Sequence, residues 1–407
     1  MNTRNSIRKS TSPTVSERLR TKRELEVMKY KPCPPTPRRK DYVTEYLKRK
    51  IDSKGDGIAR PIYFNYPTRL SKYYDPKRTS TYFRQLYSVG ECIGEGSFGI
   101  VYRARNRENN KYYAIKMTKC YVTVLPNYDE IRCLEKVGVH ENLVRYYFAW
   151  QEKAVIYMQL ELCALSLATY TKYYHKLSNP QLWNIFIDML KALEHLHSRN
   201  IIHLDIKPDN IMMSKDGVYK LGDFGMLRDL NEPTLVNGLR SSKNSEGDAK
   251  YLAKEVLQAI YTPAADVFSL GISMLELACD IILPGDGPMW HYLRDGTFTS
   301  EYFKLVPMKL REVICKMMVP QSEQRPSVIS IFKMSNVKRA TIAQISRVNY
   351  YTVWKADHPE DETEPFIVRI NTPPRETNGD EGTAMPPPTA VCVTPPKAVS
   401  GVIVHGL

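Results

Sequence analysis

The run His203-Leu204-Asp205-Ile206-Lys207-Pro208-Asp209-Asn210, with Asp223-Phe224-Gly225 beginning thirteen residues after Asn210, constrains this chain more than any other feature. An aspartate, a lysine two positions on, an asparagine five positions on and a second aspartate form a compact set for phosphoryl transfer. Asp205 can accept the proton of an attacking hydroxyl, and Lys207 can neutralise charge on the moving phosphoryl group. Asn210 and Asp223 offer hard oxygen ligands to Mg²⁺. Taken singly, each is an ordinary turn or cap residue. The joint spacing is what chance rarely supplies.

Upstream, residues 87–93 read as a strand that ends at Ile93 and runs into Gly94-Glu95-Gly96-Ser97-Phe98-Gly99-Ile100-Val101. Glycines at this spacing let backbone N–H groups approach the phosphates of ATP without interference from a Cβ. The same pattern fits dinucleotide-binding turns, but those open a helix. Here Ile100, Val101 and Tyr102 continue as a strand. A further apolar strand, Tyr112-Tyr113-Ala114-Ile115, ends on Lys116. A lysine after a strand is usually just exposed; a carboxylate partner would change that. Glu130 is the favoured partner, in a helix predicted over Asp129–Val137 from the recurrence of Ile131, Leu134 and Val137. Glu135 is the rival, and its register points it elsewhere. Strands are expected over 143–150 and 154–161, and an amphipathic helix over Asn179–His197. Further helices are expected around 302–303, 308–318 and 328–334.

The flanks differ in character. Residues 1–50 hold fifteen Lys and Arg against five Asp and Glu, which accounts for most of the net charge of +14. Residues 1–80 lack sustained periodicity and read as a basic, largely disordered arm. Residues 338–407 read as an acidic, then proline-rich, disordered tail. The arm's charge suits peripheral contact with an anionic membrane or an acidic partner, although a solvated tail is the plainer reading. No fold or aromatic platform for specific nucleic-acid binding accompanies it. No run of eighteen apolar residues predicts a transmembrane segment. Eight cysteines without CxxC spacing argue for reduced thiols, not a zinc or disulfide frame. Thr36-Pro37-Arg38-Arg39, Thr372-Pro373-Pro374-Arg375 and Thr394-Pro395-Pro396-Lys397 each fit the proline-directed pattern that cyclin-dependent kinases phosphorylate.

Over residues 87–335 the chain resembles a eukaryotic protein kinase. It is similar in particular to the membrane-associated tyrosine- and threonine-specific branch of the Wee family. Carrying the closer likeness are residues 203–208, Leu221-Gly222-Asp223-Phe224-Gly225-Met226-Leu227, Glu246-Gly247-Asp248, residues 264–271 and Leu275-Glu276-Leu277-Ala278-Cys279. Leu204 stands where most kinases place arginine. The resemblance implies an α+β, bilobal fold, with a five-stranded N-lobe sheet and one main helix over 87–161 and a mostly helical C-lobe over 164–335. It implies ATP and Mg²⁺ as cofactors, with the backbone at Glu161-Leu162-Cys163 meeting adenine and Leu160 closing the pocket behind it. Asp266 is expected to hold the catalytic-loop backbone, and Glu255 to pair with Arg325.

The implied substrate is the adjacent threonine and tyrosine in the ATP-loop of a mitotic cyclin-dependent kinase–cyclin complex, whose phosphorylation restrains entry into mitosis. The implied location is cytoplasmic, peripheral on endoplasmic reticulum or Golgi membranes, with the nucleus as the alternative. The competing reading is a pseudokinase scaffold that binds such a kinase without phosphorylating it. Two departures bear on this: Lys254 replaces the usual proline before Glu255, and Leu160 is bulkier than the branch leads one to expect. The polar segment 231–248, with Ser241, Ser242 and Ser245, reads as an activation segment. Without an arginine beside Asp205, a phosphate there lacks its usual basic anchor, so activity is expected not to require one.

Overall fold

The computed structural model describes residues 57–96, 99–118, 128–153, 155–232, 247–296, 303–304, 306–343 and 348–357. Outside them lie Ser97 and Phe98 of the glycine loop, Ser241, Ser242 and Ser245, the Thr36, Thr372 and Thr394 motifs, and the bulk of the basic arm and acidic tail.

The described chain begins with β1 (Arg60–Ile62) and α1 (Tyr82–Leu86), followed by β2 (Tyr87–Gly96), β3 (Gly99–Asn106), β4 (Tyr112–Met117), α2 (Asp129–Val137), β5 (Tyr146–Glu152) and β6 (Val155–Glu161). The strands form one antiparallel sheet ordered β1-β5-β6-β4-β3-β2. This corrects two expectations. The N-lobe sheet has six strands instead of five, and residues 57–80, assigned to the disordered arm, carry the sixth. Arg60, Pro61 and Ile62 pair with Gln151, Trp150 and Ala149.

The reason lies in the sheet's second face. Side chains alternate along a strand, so Ala149, Ile156 and Met158 turn toward α2 while Trp150, Val155 and Tyr157 turn away. The outward set is largely aromatic: Trp150 stacks between Tyr87 and Tyr157, with centroids at 5.9 and 5.0 Å. Such a face must be covered, and α1 covers it with Tyr82, Phe83 and Leu86, all buried. Thr81 caps this helix by accepting the Arg84 N–H.

The C-lobe follows: β7 (Leu165–Ser166), α3 (Leu167–Tyr173), α4 (Asn179–His197), β8 (Ile201–Ile202), β9 (Ile211–Met213), β10 (Tyr219–Leu221), β11 (Arg228–Asp229), a 3₁₀ turn (Lys254–Gln258), α5 (Pro263–Cys279), α6 (Gly287–Tyr292), α7 (Met308–Met317), a second 3₁₀ turn (Ser322–Gln324), α8 (Val328–Phe332), α9 (Ser335–Ala343) and α10 (Tyr350–Asp357). Ser178 caps α4, and Pro180 sits in its first turn, where a missing N–H costs nothing. α4 and α5 pack at the centre of the main core. Of the helix expected around 302–303, Tyr302 lies outside the described residues, and Phe303 and Lys304 form a turn. The tail also begins later than expected, because Tyr351 and Trp354 bury their side chains in the core cluster. Among the described residues no helix is long and apolar enough to cross a membrane.

Candidate active site

Lys116 lies in register between Val101 of β3 and Met158 of β6, beneath the glycine hairpin in which Gly94, Glu95 and Gly96 face Val101, Ile100 and Gly99. Its ammonium lies 2.6 Å from Glu130 Oε1 and 3.1 Å from Asp223 Oδ1. Burial opposes its charge most strongly, but the two carboxylates outweigh it and hold its pKa above the ordinary lysine value. For Asp223 burial is again the largest influence, and Lys116 overcomes it, holding this carboxyl below the usual range. Burial pushes Glu130 up against the pull of the same lysine. Glu135, five residues on, faces away: its Oε2 accepts the backbone N–H of Phe64 at 2.9 Å and of Asn65 at 2.7 Å.

A second cluster forms around Asp205. Lys207 Nζ reaches its two oxygens at 3.0 and 2.9 Å, and Asn210 Nδ2 donates to its backbone and side-chain oxygens, both at 2.8 Å. The amide of Asn210 is thus oriented by its nitrogen, which leaves Oδ1 as its hard donor. The two clusters are joined through backbone. Gly222 N–H donates to Asn210 O at 2.8 Å, and the Val144 and Leu221 amides bond to Leu221 and Asn142 carbonyls. These ties fix the turn into Asp223. His203 is fully buried; its Nδ1 accepts the Asp205 N–H, so Nε2–H donates to Gly222 O at 3.2 Å.

Leu204 has φ +64°, in the left-handed region that costs a branched side chain. Asp266, fully buried at the start of α5, holds it there. Its Oδ1 accepts the Leu204 N–H at 2.8 Å, and its Oδ2 accepts the His203 N–H at 2.8 Å and His197 Nε2 at 2.9 Å. Gly247 packs against the same loop. A Cβ at Gly247 would lie 2.9 Å from Leu204 O, and its φ is +71°, so only glycine lets this segment approach Asp205 so closely.

The segment that follows is anchored by residues the sequence reading did not single out. Arg294, 1 % exposed, donates to the carbonyls of Ala249, Lys250, Leu252 and Trp290, and Trp290 Nε1 donates to Ala249 O at 2.7 Å. The signal available was a Trp and an Arg at i,i+4, which helix–helix packing explains equally well. Arg325 forks onto both oxygens of Glu255, with Nη2 to Oε2 at 3.1 Å. Lys254, in the usual proline position, forms a surface ion pair with Asp295. At the end of β6, Glu161 accepts from Arg145 N–H and lies 3.2 Å from Lys220 Nζ; Leu160 and Cys163 are half-buried.

The residues fit a nucleotide with Mg²⁺ on their own terms. Among the described residues, a Cβ at Gly96 would meet no atom within 4 Å, so none of them accounts for the absent side chain. Gly99, by contrast, is required by the fold itself: with φ +148°, its Cβ would lie 2.2 Å from Met117 O. Among the described residues no group of three or more His, Cys, Asp or Glu is arranged to hold a metal. One carboxylate with one amide oxygen is a donor set for Mg²⁺ whose remaining ligands are phosphate and water.

Compared with known families, residues 87–337 match the protein kinase domain. This chain belongs to the protein kinase family. Among curated proteins the kinase is 40% identical over 270 residues to the membrane-associated tyrosine- and threonine-specific cdc2-inhibitory kinase wee-1.3 of Caenorhabditis briggsae, covering 66% of this chain and 40% of the relative. It is 40% identical over 252 residues to the Drosophila melanogaster kinase of the same description, covering 61% and 46%. It is 31% identical over 290 residues to human Wee1-like protein kinase 2, covering 62% and 48%. The kinase is thus a Wee-family homologue, and it spans less than half the length of these relatives.

Proposed function

We propose that this kinase transfers the γ-phosphoryl group of ATP to the threonine or tyrosine in the ATP-loop of a mitotic cyclin-dependent kinase–cyclin complex, inhibiting it. The observation that carries the proposal is Lys116 bridging Glu130 and Asp223 beside the Asp205–Lys207–Asn210 cluster. Lys116, oriented by Glu130, binds the α/β-phosphates. Asn210 Oδ1 and Asp223 are the hard donors that would hold Mg²⁺, which when bound neutralises charge between the β- and γ-phosphates. Asp205, with Lys207 and Asn210 fixing its carboxylate, orients the substrate hydroxyl and receives its proton. Ile93, the loop 94–101 and the backbone at Glu161 and Cys163 enclose the nucleotide. The choice of substrate rests on the Wee-type relatives, two of which are described as cdc2-inhibitory.

Lys254 does not favour the scaffold reading, because its side chain is spent on Asp295 at the surface. Mass-spectrometric mapping of a cyclin-bound kinase after incubation with the full chain and Mg·ATP tests the proposal. Phosphate is expected on the threonine or tyrosine of that substrate's ATP-loop. Sites confined to other segments would refute the substrate assignment.

A further inference from the structure

α2 (Asp129–Val137) carries Glu130, so its placement decides whether Lys116 is gripped. Besides the buried face of Ile131, Leu134 and Val137 and the His195 contact with Val137 O, three sets of polar contacts bear on that placement. On one side is the Lys116–Glu130 pair itself. At its far end Lys136 pairs with Asp229, and Arg132 lies 3.4 Å from Glu232, both carboxylates following Asp223 in the chain. The third contact comes from outside residues 87–337, the part that matches the kinase domain. Glu135 is only 9 % exposed, and one of its oxygens takes the two consecutive backbone N–H groups of Phe64 and Asn65.

The same stretch makes a second layer of contact. The Phe64 ring lies 4.9 Å from the Arg132 guanidinium and 6.4 Å from the Tyr128 ring, and Tyr128 OH donates to Gln151 Oε1 at 2.6 Å. Immediately before it, β1 is fixed to β5 at Ala149, Trp150 and Gln151. The segment therefore runs from the edge of the sheet directly onto the helix. Two N–H groups on one carboxylate oxygen are charge-assisted bonds, short and directional.

We propose that residues 60–65 are a built-in positioning segment for α2 and that Glu135 is the positioning residue that receives it. The grip on Lys116 then depends on chain upstream of the kinase domain. This rests on the reading that Lys116 binds the nucleotide.

The test uses the full chain in four forms: Glu135→Ala, Glu135→Gln, residues 60–65 replaced by a Gly-Ser stretch of equal length, and that replacement combined with Glu135→Ala. Amide hydrogen exchange over residues 129–137 and the KM for ATP are measured on each. Glu135→Ala and the replacement should each speed α2 exchange and raise the KM for ATP about tenfold. The combined form should be no worse than the replacement alone: a Gly-Ser stretch keeps backbone N–H groups but loses the Pro61, Ile62 and Phe64 side chains that seat the segment, so the Glu135 contact is already forfeited there. Glu135→Gln, which keeps an acceptor oxygen, should stay within about threefold of the parent. Unchanged exchange in Glu135→Ala and the replacement overturns the proposal; so do effects that multiply in the combined form, the mark of independent packing losses. If the parent transfers no phosphate, the proposed function fails while exchange still decides this inference. Should the replaced segment prevent folding, Glu135→Ala against Glu135→Gln carries the decision.

Discussion

Asp266→Asn should destabilise this kinase substantially, and the structure sets the size. Asp266 has no solvent exposure, so water cannot compensate for a lost partner. Its two oxygens accept three hydrogen bonds, from Leu204 N–H, His203 N–H and His197 Nε2. Asparagine keeps one oxygen, which can serve Leu204, and turns an NH₂ toward the other two groups. His197 can adapt by presenting an acceptor nitrogen; the His203 N–H cannot. A buried donor facing a donor costs about 1–3 kcal/mol, and the charge-assisted bonds replaced are worth about 1.5–3 kcal/mol each against roughly 1 kcal/mol for neutral ones. Leu204 adds its own requirement, since the left-handed backbone costs about 1–2 kcal/mol and is held by the same side chain. The expected loss is about 3 kcal/mol. At about 2–4 °C per kcal/mol for a domain of this size, the melting temperature should fall by roughly 6–12 °C. Thermal unfolding followed by circular dichroism reads the loss, and amide exchange at His203 and Leu204 locates it. A variant that melts within about 2 °C of the parent, with those amides still protected, would refute the reasoning about strain and restraint.

Lys254→Pro should be neutral or stabilising by about 0.4–1 kcal/mol. The position opens a 3₁₀ turn, Ala253 before it already has ψ 153°, and only an exposed ion pair is lost; a drop in melting temperature of several degrees would contradict this. Acid should destabilise the fold. Burial holds His203 and His140 neutral, His140 down to about 4. Their folded pKa values lie below about 6.5, the unfolded value, so the unfolded chain takes up protons first. Their contribution is complete above about pH 6.5 and drains as pH falls toward the folded values. Melting temperature should therefore decline from pH 7 to 5, and His140→Asn should remove part of the decline; a flat profile in the parent would count against it. Replacing Ser241, Ser242 and Ser245 together by Ala should leave turnover nearly unchanged, because Arg294 and Trp290 anchor residues 249–252 without a phosphate. Complete loss of turnover would show that a phosphorylated segment is needed after all.

Features that chemistry ties to fixed spacing were legible in the sequence. Residues 203–210 form one loop, so their spacing alone brings Asp205, Lys207 and Asn210 together. The helical register of 129–137 separated Glu130 from Glu135 by about 140° around the axis, and the two do face different partners. The kinase fold was legible for the same reason. The N-terminal cover was not. β1 has three residues and α1 has five, too short for periodicity to register. Their stability comes from Trp150 and Tyr157, which lie far along the chain, together with Tyr87 at the end of α1. An aromatic excess on one face of β5 and β6 was the available sign that something covers it. Trp354 and Tyr351 escaped notice likewise, since α10 follows polar residues and draws its order from docking on the core. Arg294 was hidden because its partners are carbonyl groups, which no residue type advertises.

The most direct test is a single-turnover transfer from γ-labelled Mg·ATP to a purified cyclin-bound kinase, with the parent and Asp205→Asn side by side. Label should pass to the substrate protein with the parent and fall by several orders of magnitude with Asp205→Asn, while both bind nucleotide alike. A parent that binds Mg·ATP yet passes no label, or an Asp205→Asn variant as fast as the parent, would contradict the account.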